Sequence, residues 1–402
     1  MTKHNLKFIA LLAICFIGAQ SKELCAKESE LENLDADDFP FATPKCTTSV
    51  DVLQVGMMIQ RYTNRPQSQL VPRWLNMTLL QEGRRFANKN FALLWFSNYI
   101  RSIVSVANEE FMPWLPHLDK SASADKVAKT ILTSVSETLG ALAVDTDTPI
   151  NMDNLKNILN SIVLETEGQI MSPKKYSKVN LDQLLWAAVE NDLQLSSIPK
   201  EYRSFSEDMM AVKKWQTPLN QFSLALGQYS LFGIPFSTKN VNALLNASPE
   251  EEKGWLHLWA VLGHIIGIEE NFNVALQKNK VEATAYYKDL INNYLVPSFF
   301  QLKMQQKVLI EALLKVSSAL MPAEGLELTP RLNMVIFLEE FLEIETPKTR
   351  SLLTVTEKEN LQIWQDLKSS LSLNPFILES LNIGIKAEAL ESYYLSKYIY
   401  TQ

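Results

Sequence analysis

Trp255 to Ile268 reads WLHLWAVLGHIIGI, and twelve of these fourteen residues are apolar or Gly. No charge appears until Glu269 and Glu270. A helix of this composition is apolar all round instead of along one stripe, which predicts a central helix buried on every side. A membrane span needs about 20 apolar residues, so this stretch is too short to cross a bilayer. Lys253 and Gly254 mark its entry on this reading. Gly263 and Gly267 offer a face without side chains, which another helix or a flat ligand can approach closely. His257 and His264 lie almost two turns apart on one side of the helix, at levels about 10 Å apart, so one metal ion cannot take both. The ordinary reading of each is a core histidine bonded to a carbonyl or carboxylate.

The rest of the 402-residue chain supports helices. It holds 12 glycines and 47% hydrophobic residues, with long runs of Leu, Ala, Lys, Glu and Gln, against a turn-rich β architecture. The fold expected is all-α: a single large helical domain over residues 50–402 with the central helix buried inside it. A net charge of −7 with interspersed cations leaves no basic face for a phosphate backbone, which argues against nucleic acid as a partner.

Residues 1–26 read as a signal peptide. MTKHNLK is a positive start, Phe8 to Gly18 is apolar, and small residues follow, with cleavage after Ser21 or after Ala26. The mature chain is then secreted or periplasmic, with no transmembrane anchor of its own. Ile14 and Leu24 precede Cys15 and Cys25 where lipidation wants a small residue. Cleavage after Ala26 leaves Cys46 alone; earlier cleavage leaves Cys25 and Cys46 able to close a small disulfide loop. Residues 27–49 form an acidic, extended arm.

Beyond the arm, helical periodicity recurs. Leu75 to Ala107 predicts two helices, Ala124 to Ala143 a long amphipathic one, Leu181 to Leu193 a compact one and Glu201 to Trp215 another. Pro218 opens a buried helix that carries Asn220 and Gln221 at its start and ends at Gly233 and Pro235, and Ser237 caps the next. About five more helices follow Val274, including the apolar run from Phe299 to Ala319. Internal repeats, phosphate loops, zinc spacings and nucleophile elbows are missing from the sequence.

Taken in order, Pro218-Leu219-Asn220-Gln221, Phe232-Gly233-Ile234, His257-Leu258-Trp259 and Gly267 resemble the catalytic domain of the latex-clearing rubber oxygenases and MpaB-type oxygenases, over Met57 to about Asn273. The resemblance implies an all-α shell around haem b and cleavage of an apolar, polyprenoid or lipid-like substrate by dioxygen. It also implies a distal Arg-x-x-Lys-Thr element, matched here by Lys126, Lys129 and Thr130, and a glutamate base, matched by Glu110. This chain departs from the pattern at Trp186, which stands where the family's haem-ligand histidine is expected, and at Ala260, which replaces an arginine. Indole nitrogen is a donor only and cannot ligate iron. If haem is kept, iron finds its ligand elsewhere, with His264 first, His257 second and Lys129 at the other axial position. If haem is lost, Trp186 fills part of the cavity, and the chain is a non-catalytic relative that binds an apolar ligand or a protein partner.

Overall fold

The computed structural model describes residues 71–108, 181–213, 220–277, 279–320, 328–374 and 376–387 apart from a few single positions, with shorter pieces inside 53–60 and 123–132. The described residues are 77% helical and contain no strand, so the fold is all-α. Their helices are α1 (Met77–Lys89), α2 (Phe91–Ala107), α3 (Gln183–Leu195), α4 (Glu207–Lys213), α5 (Gln221–Phe232), α6 (Ile234–Ser237) and α7 (Lys239–Leu244). They continue with α8 (Pro249–Ile265), α9 (Lys280–Leu290), α10 (Val296–Phe300), α11 (Met304–Leu320), α12 (Pro330–Glu340), α13 (Pro347–Ser351) and α14 (Val355–Leu373). Residues 124–129 and 376–387 are also helical.

The central helix is α8, and its ends differ from those the apolar run suggests. It begins at Pro249, where Ser248 and Glu251 close a capping box and Pro249 takes a first-turn position that lacks a hydrogen-bonding role. It ends at Ile265. Gly267 follows with φ 97°, in the left-handed region. The Ile268 N–H reaches back to the Gly263 carbonyl at 2.9 Å, the closure of a Schellman turn. Gly254 is therefore an interior residue, and from Gly254 to Ile265 every position is buried.

Two glycines set how α8 meets α1. A Cβ built on Gly254 would lie 2.5 Å from the Gly83 nitrogen, and one built on Gly83 would overlap the Gly254 carbonyl. The two backbones touch, as glycine alone allows. Lys89 at the end of α1 pairs with the buried Glu251 carboxylate at 2.6 Å, and Asn76 before α1 bonds to His257, so the helices run antiparallel. Asn90 joins α1 to α2, its amide donating to the Phe86 and Asn246 carbonyls while its oxygen accepts from the Asn246 N–H.

One continuous apolar core runs through these helices from Leu53 to Ile344, with α8 at its centre. A smaller cluster fills the space between α12 and α14, and another seats Leu378 of the 376–387 helix on α2. Three boundaries differ from the sequence reading. The Glu201 to Trp215 stretch becomes a 3-10 turn at Lys200–Tyr202 followed by α4, and the chain after α5 makes the short α6 before Thr238 opens α7. More helices follow Val274 than the five expected, because Pro297, Pro330 and Pro347 each start a new one.

Replacing Gly83 or Gly254 by Ala is expected to destabilise the protein by about 1–3 kcal/mol, since rigid backbone must move on both sides. Gly384 lies in the 376–387 helix with open space at its Cβ position, so Gly384→Ala is expected to stabilise by roughly 0.5–1 kcal/mol. Urea midpoints of the three variants against wild type check both signs.

Candidate functional site

The two histidines of α8 form one cluster with Trp74. The Trp74 ring stands edge-on to His257 at 5.6 Å and to His264 at 6.1 Å between centroids. Its indole N–H donates to Glu270 at 3.0 Å. Two residues later the Asn76 N–H donates to His257 Nε2 at 3.0 Å. Asn76 also caps α1, its side-chain oxygen accepting from the Thr78 and Leu79 N–H groups. The segment before α1 is thus clamped onto α8 through an indole edge and a backbone hydrogen bond.

This geometry fixes the protonation of His257. A nitrogen that accepts a hydrogen bond carries no proton, so the neutral ring is protonated on Nδ1. Nδ1 is buried without a hydrogen-bond partner. One nitrogen is therefore engaged and the other is a donor, which leaves no lone pair to offer a metal. Burial, with the like charge of Lys253 adding to it, pushes the imidazolium pKa down to about 4. His264 is buried, at 8% exposure, beside the same indole.

Gly263 and Gly267 do not form an open face. The space at Gly263 is filled by the Gln228 amide, whose Nε2 donates to the Trp259 carbonyl at 2.7 Å and to Asn273 Oδ1 at 2.8 Å. Asn273 in turn donates to the Ala260 carbonyl at 2.8 Å. Gln221 donates to the Gly267 carbonyl at 3.0 Å and accepts from the Glu269 N–H at 2.9 Å. Asn220 caps α5 through the Ser223 N–H. These amides lock the end of α8 in place, and a flat macrocycle has no room at Gly263. Among the described residues, no group of three or more His, Cys, Asp or Glu side chains could hold a metal ion.

Trp186 is buried in α3. Its indole N–H donates to Glu311 Oε2 at 3.2 Å, and Glu311 also accepts from the Asp182 N–H at the start of the same helix. The Lys307 ammonium lies 5.6 Å from the Trp186 ring centroid while pairing with Glu190 at 2.5 Å. Both ends of this tryptophan are thus satisfied by α11 and its own helix. Lys126 and Lys129 are exposed, so Lys129 is not sealed among apolar helices as an axial ligand must be. Glu110 and Thr130, with Pro218 and Leu219 of the amide motif, lie outside the described residues, as do the N-terminal segment, the acidic arm, Cys25 and Cys46. The residues around His264 and Trp186 therefore do not fit a haem.

Sequence reading missed Trp74, Gln228 and Asn273. Only Asn76 carried a signal, as a capping residue directly before a helical run. Two surface clefts are lined by other residues. One of about 630 Å³ lies between Lys239 and the Glu343–Arg350 turn, and one of about 430 Å³ lies between Lys89 and the 376–387 helix. Compared with known protein families, curated proteins and solved structures, the chain shows no match.

The His257 geometry predicts acid sensitivity. Its pKa is near 4 folded and 6.5 unfolded, so between these values the unfolded chain binds more protons and stability falls as pH drops through the window. The full loss is about 3 kcal/mol at 1.36 kcal/mol per pKa unit. Urea unfolding at pH 7.5 and 4.5 is expected to show a smaller loss for His257→Gln than for wild type, because glutamine can accept the Asn76 N–H without titrating.

Proposed function

We propose that this chain is an exported, non-catalytic binding protein that keeps a helical shell similar to that of the rubber oxygenases without its haem, and holds an apolar ligand. The observation that carries this is Trp186. At the position where the resemblance expects the iron ligand, a bulky indole fills the interior and is held by Glu311. Two further arrangements support the reading. The Nε2 of His257 is taken by the Asn76 N–H, which leaves the ring proton on Nδ1, and Gln228 occupies the space at Gly263 that a macrocycle would need. Export is proposed from the order of charged, apolar and small residues in the first 26 positions. Among the described residues, no helix is long and apolar enough to cross a membrane.

The competing reading is a haem-dependent oxygenase that acts on a polyprenoid or lipid-like substrate, with His264 on iron and Glu110 as base. One titration separates them. Purified mature protein mixed with haem b is expected to give only the spectrum of free haem. A Soret band that saturates at one equivalent and is lost in His264→Ala would replace the binding-protein reading with the oxygenase one.

A further inference from the structure

The cleft of about 430 Å³ beside the end of α1 has the 376–387 helix as one wall, and Asn88, Lys89 and Asn246 line the other. Asn382 ties the walls together. Its amide donates to the Lys89 carbonyl at 2.5 Å and its oxygen accepts from the Ala92 N–H at 2.7 Å, so both of its polar atoms are used. Glu379 and Lys386 line the cleft from the 376–387 helix, seven residues apart, which puts them on one side of it at levels about 10 Å apart. Side chains that pair along a helix are three or four residues apart, so these two do not neutralise each other.

Neither charge finds an opposite one among the described residues. Glu379 is exposed and makes no ion pair there, and the half-buried Lys386 ammonium donates only to the neutral Asn88 side-chain oxygen. Burial lowers the Lys386 pKa from its ordinary value, as it does for an ammonium that has lost water without gaining an anion. The remaining cation of the cleft, Lys89, is already held by Glu251 at 2.6 Å. Spare amides lie between. Asn88 gives its oxygen to Lys386 and keeps its N–H₂, while Asn246 is bonded only through its backbone, to Asn90, which leaves its side chain free. Ile383, at 67% exposure, adds open apolar surface on the same wall.

An unpaired anion and an unpaired cation two helical turns apart suit a ligand with opposite charges at its two ends. A free amino acid, whose charges are separated by a single carbon, cannot serve both. An extended chain covers about 3.3–3.6 Å per residue, so roughly three residues span the distance. Its peptide groups present the donors and acceptors that asparagine side chains match. The volume of the cleft is of the size that holds small ligands.

We propose that this cleft binds a short peptide of about three residues with both ends free, its amino terminus on Glu379 and its carboxylate on Lys386. The site goes beyond the binding-protein reading above and does not depend on it, since it shares no residue with the Trp186 region or the histidine cluster.

The test is calorimetric titration of the full mature chain with trialanine, N-acetyl-trialanine and trialanine amide at millimolar concentration, in wild type, Glu379→Gln and Lys386→Met. Wild type is expected to bind trialanine, and blocking either end to weaken binding roughly threefold to tenfold, the range for a charge pair partly open to solvent. Glu379→Gln is expected to weaken trialanine as much as acetylation does and to leave the affinity of the acetylated peptide unchanged. Lys386→Met is expected to do the same with respect to the amide. Absence of trialanine binding to wild type overturns the site, and so does a variant of either residue that binds trialanine as wild type does. A loss in Glu379→Gln that is equal for free and acetylated peptides also overturns it, because the carboxylate then acts on the fold and not on an amino terminus. Each of these results leaves the haem-free reading of the core in place.

Discussion

Backbone contact between Gly83 and Gly254 is the constraint on which the described part of the molecule depends. With no side chain at either position, α1 and α8 approach until one carbonyl lies where the other's Cβ would be. That closeness brings the Asn76 N–H within 3.0 Å of His257 and places Trp74 against both imidazoles. Separating the helices by the width of one methyl group would break all of these together, because hydrogen bonds and edge contacts lose most of their strength within an ångström. The histidines of the central helix thus act as a clasp for the chain entering α1, and their chemistry follows from that packing.

The same economy governs the far end of α8. A helix end buried in a core exposes carbonyls that water cannot reach, and each must find a donor. Here the Leu262, Gly263 and His264 carbonyls are taken by the N–H groups of Ile266, Ile268 and Gly267 through the left-handed turn at Gly267, while Gln228, Asn273 and Gln221 add donors to the Trp259, Ala260 and Gly267 carbonyls. The Gln221, Gln228 and Asn273 amides thus tie the end of α8 to α5 and to the turn that follows it. In another sequence those glycines could admit a ligand; here the neighbouring helix sends a side chain into the space first.

How much of this could be read from the sequence follows from the range of each interaction. The all-α class and the central place of WLHLWAVLGHIIGI were legible because apolar periodicity is local and needs no partner to be visible. Helix ends were less so: Ser248, Pro249 and Glu251 form a legible capping box, but the apolar run drew the start six residues too late. The meaning of Gly254 and Gly263 was not legible, since it lies with Gly83 and Gln228, which are distant in the chain. Trp186 was identified as a break in the haem-ligand pattern, yet its hold on Glu311 depends on a helix that begins more than a hundred residues later. Arg101 carried a signal that went unread, a single charge inside an apolar helix. No spacing rule separates a buried arginine from a surface one when the partner elements are unknown.

Trp186 and Arg101 show opposite treatments of buried polarity. The indole has its N–H satisfied by a carboxylate and its ring covered by an ammonium, so that region is complete as folded. Of the guanidinium, Nε and Nη1 are sealed and have no acceptor among the described residues. Native interiors satisfy nearly all such groups, so the sealed nitrogens of Arg101 are an exception among the described residues. A fold whose only concern was stability would place leucine or methionine at position 101, because replacing a buried charge by an apolar side chain of similar volume is neutral or stabilising.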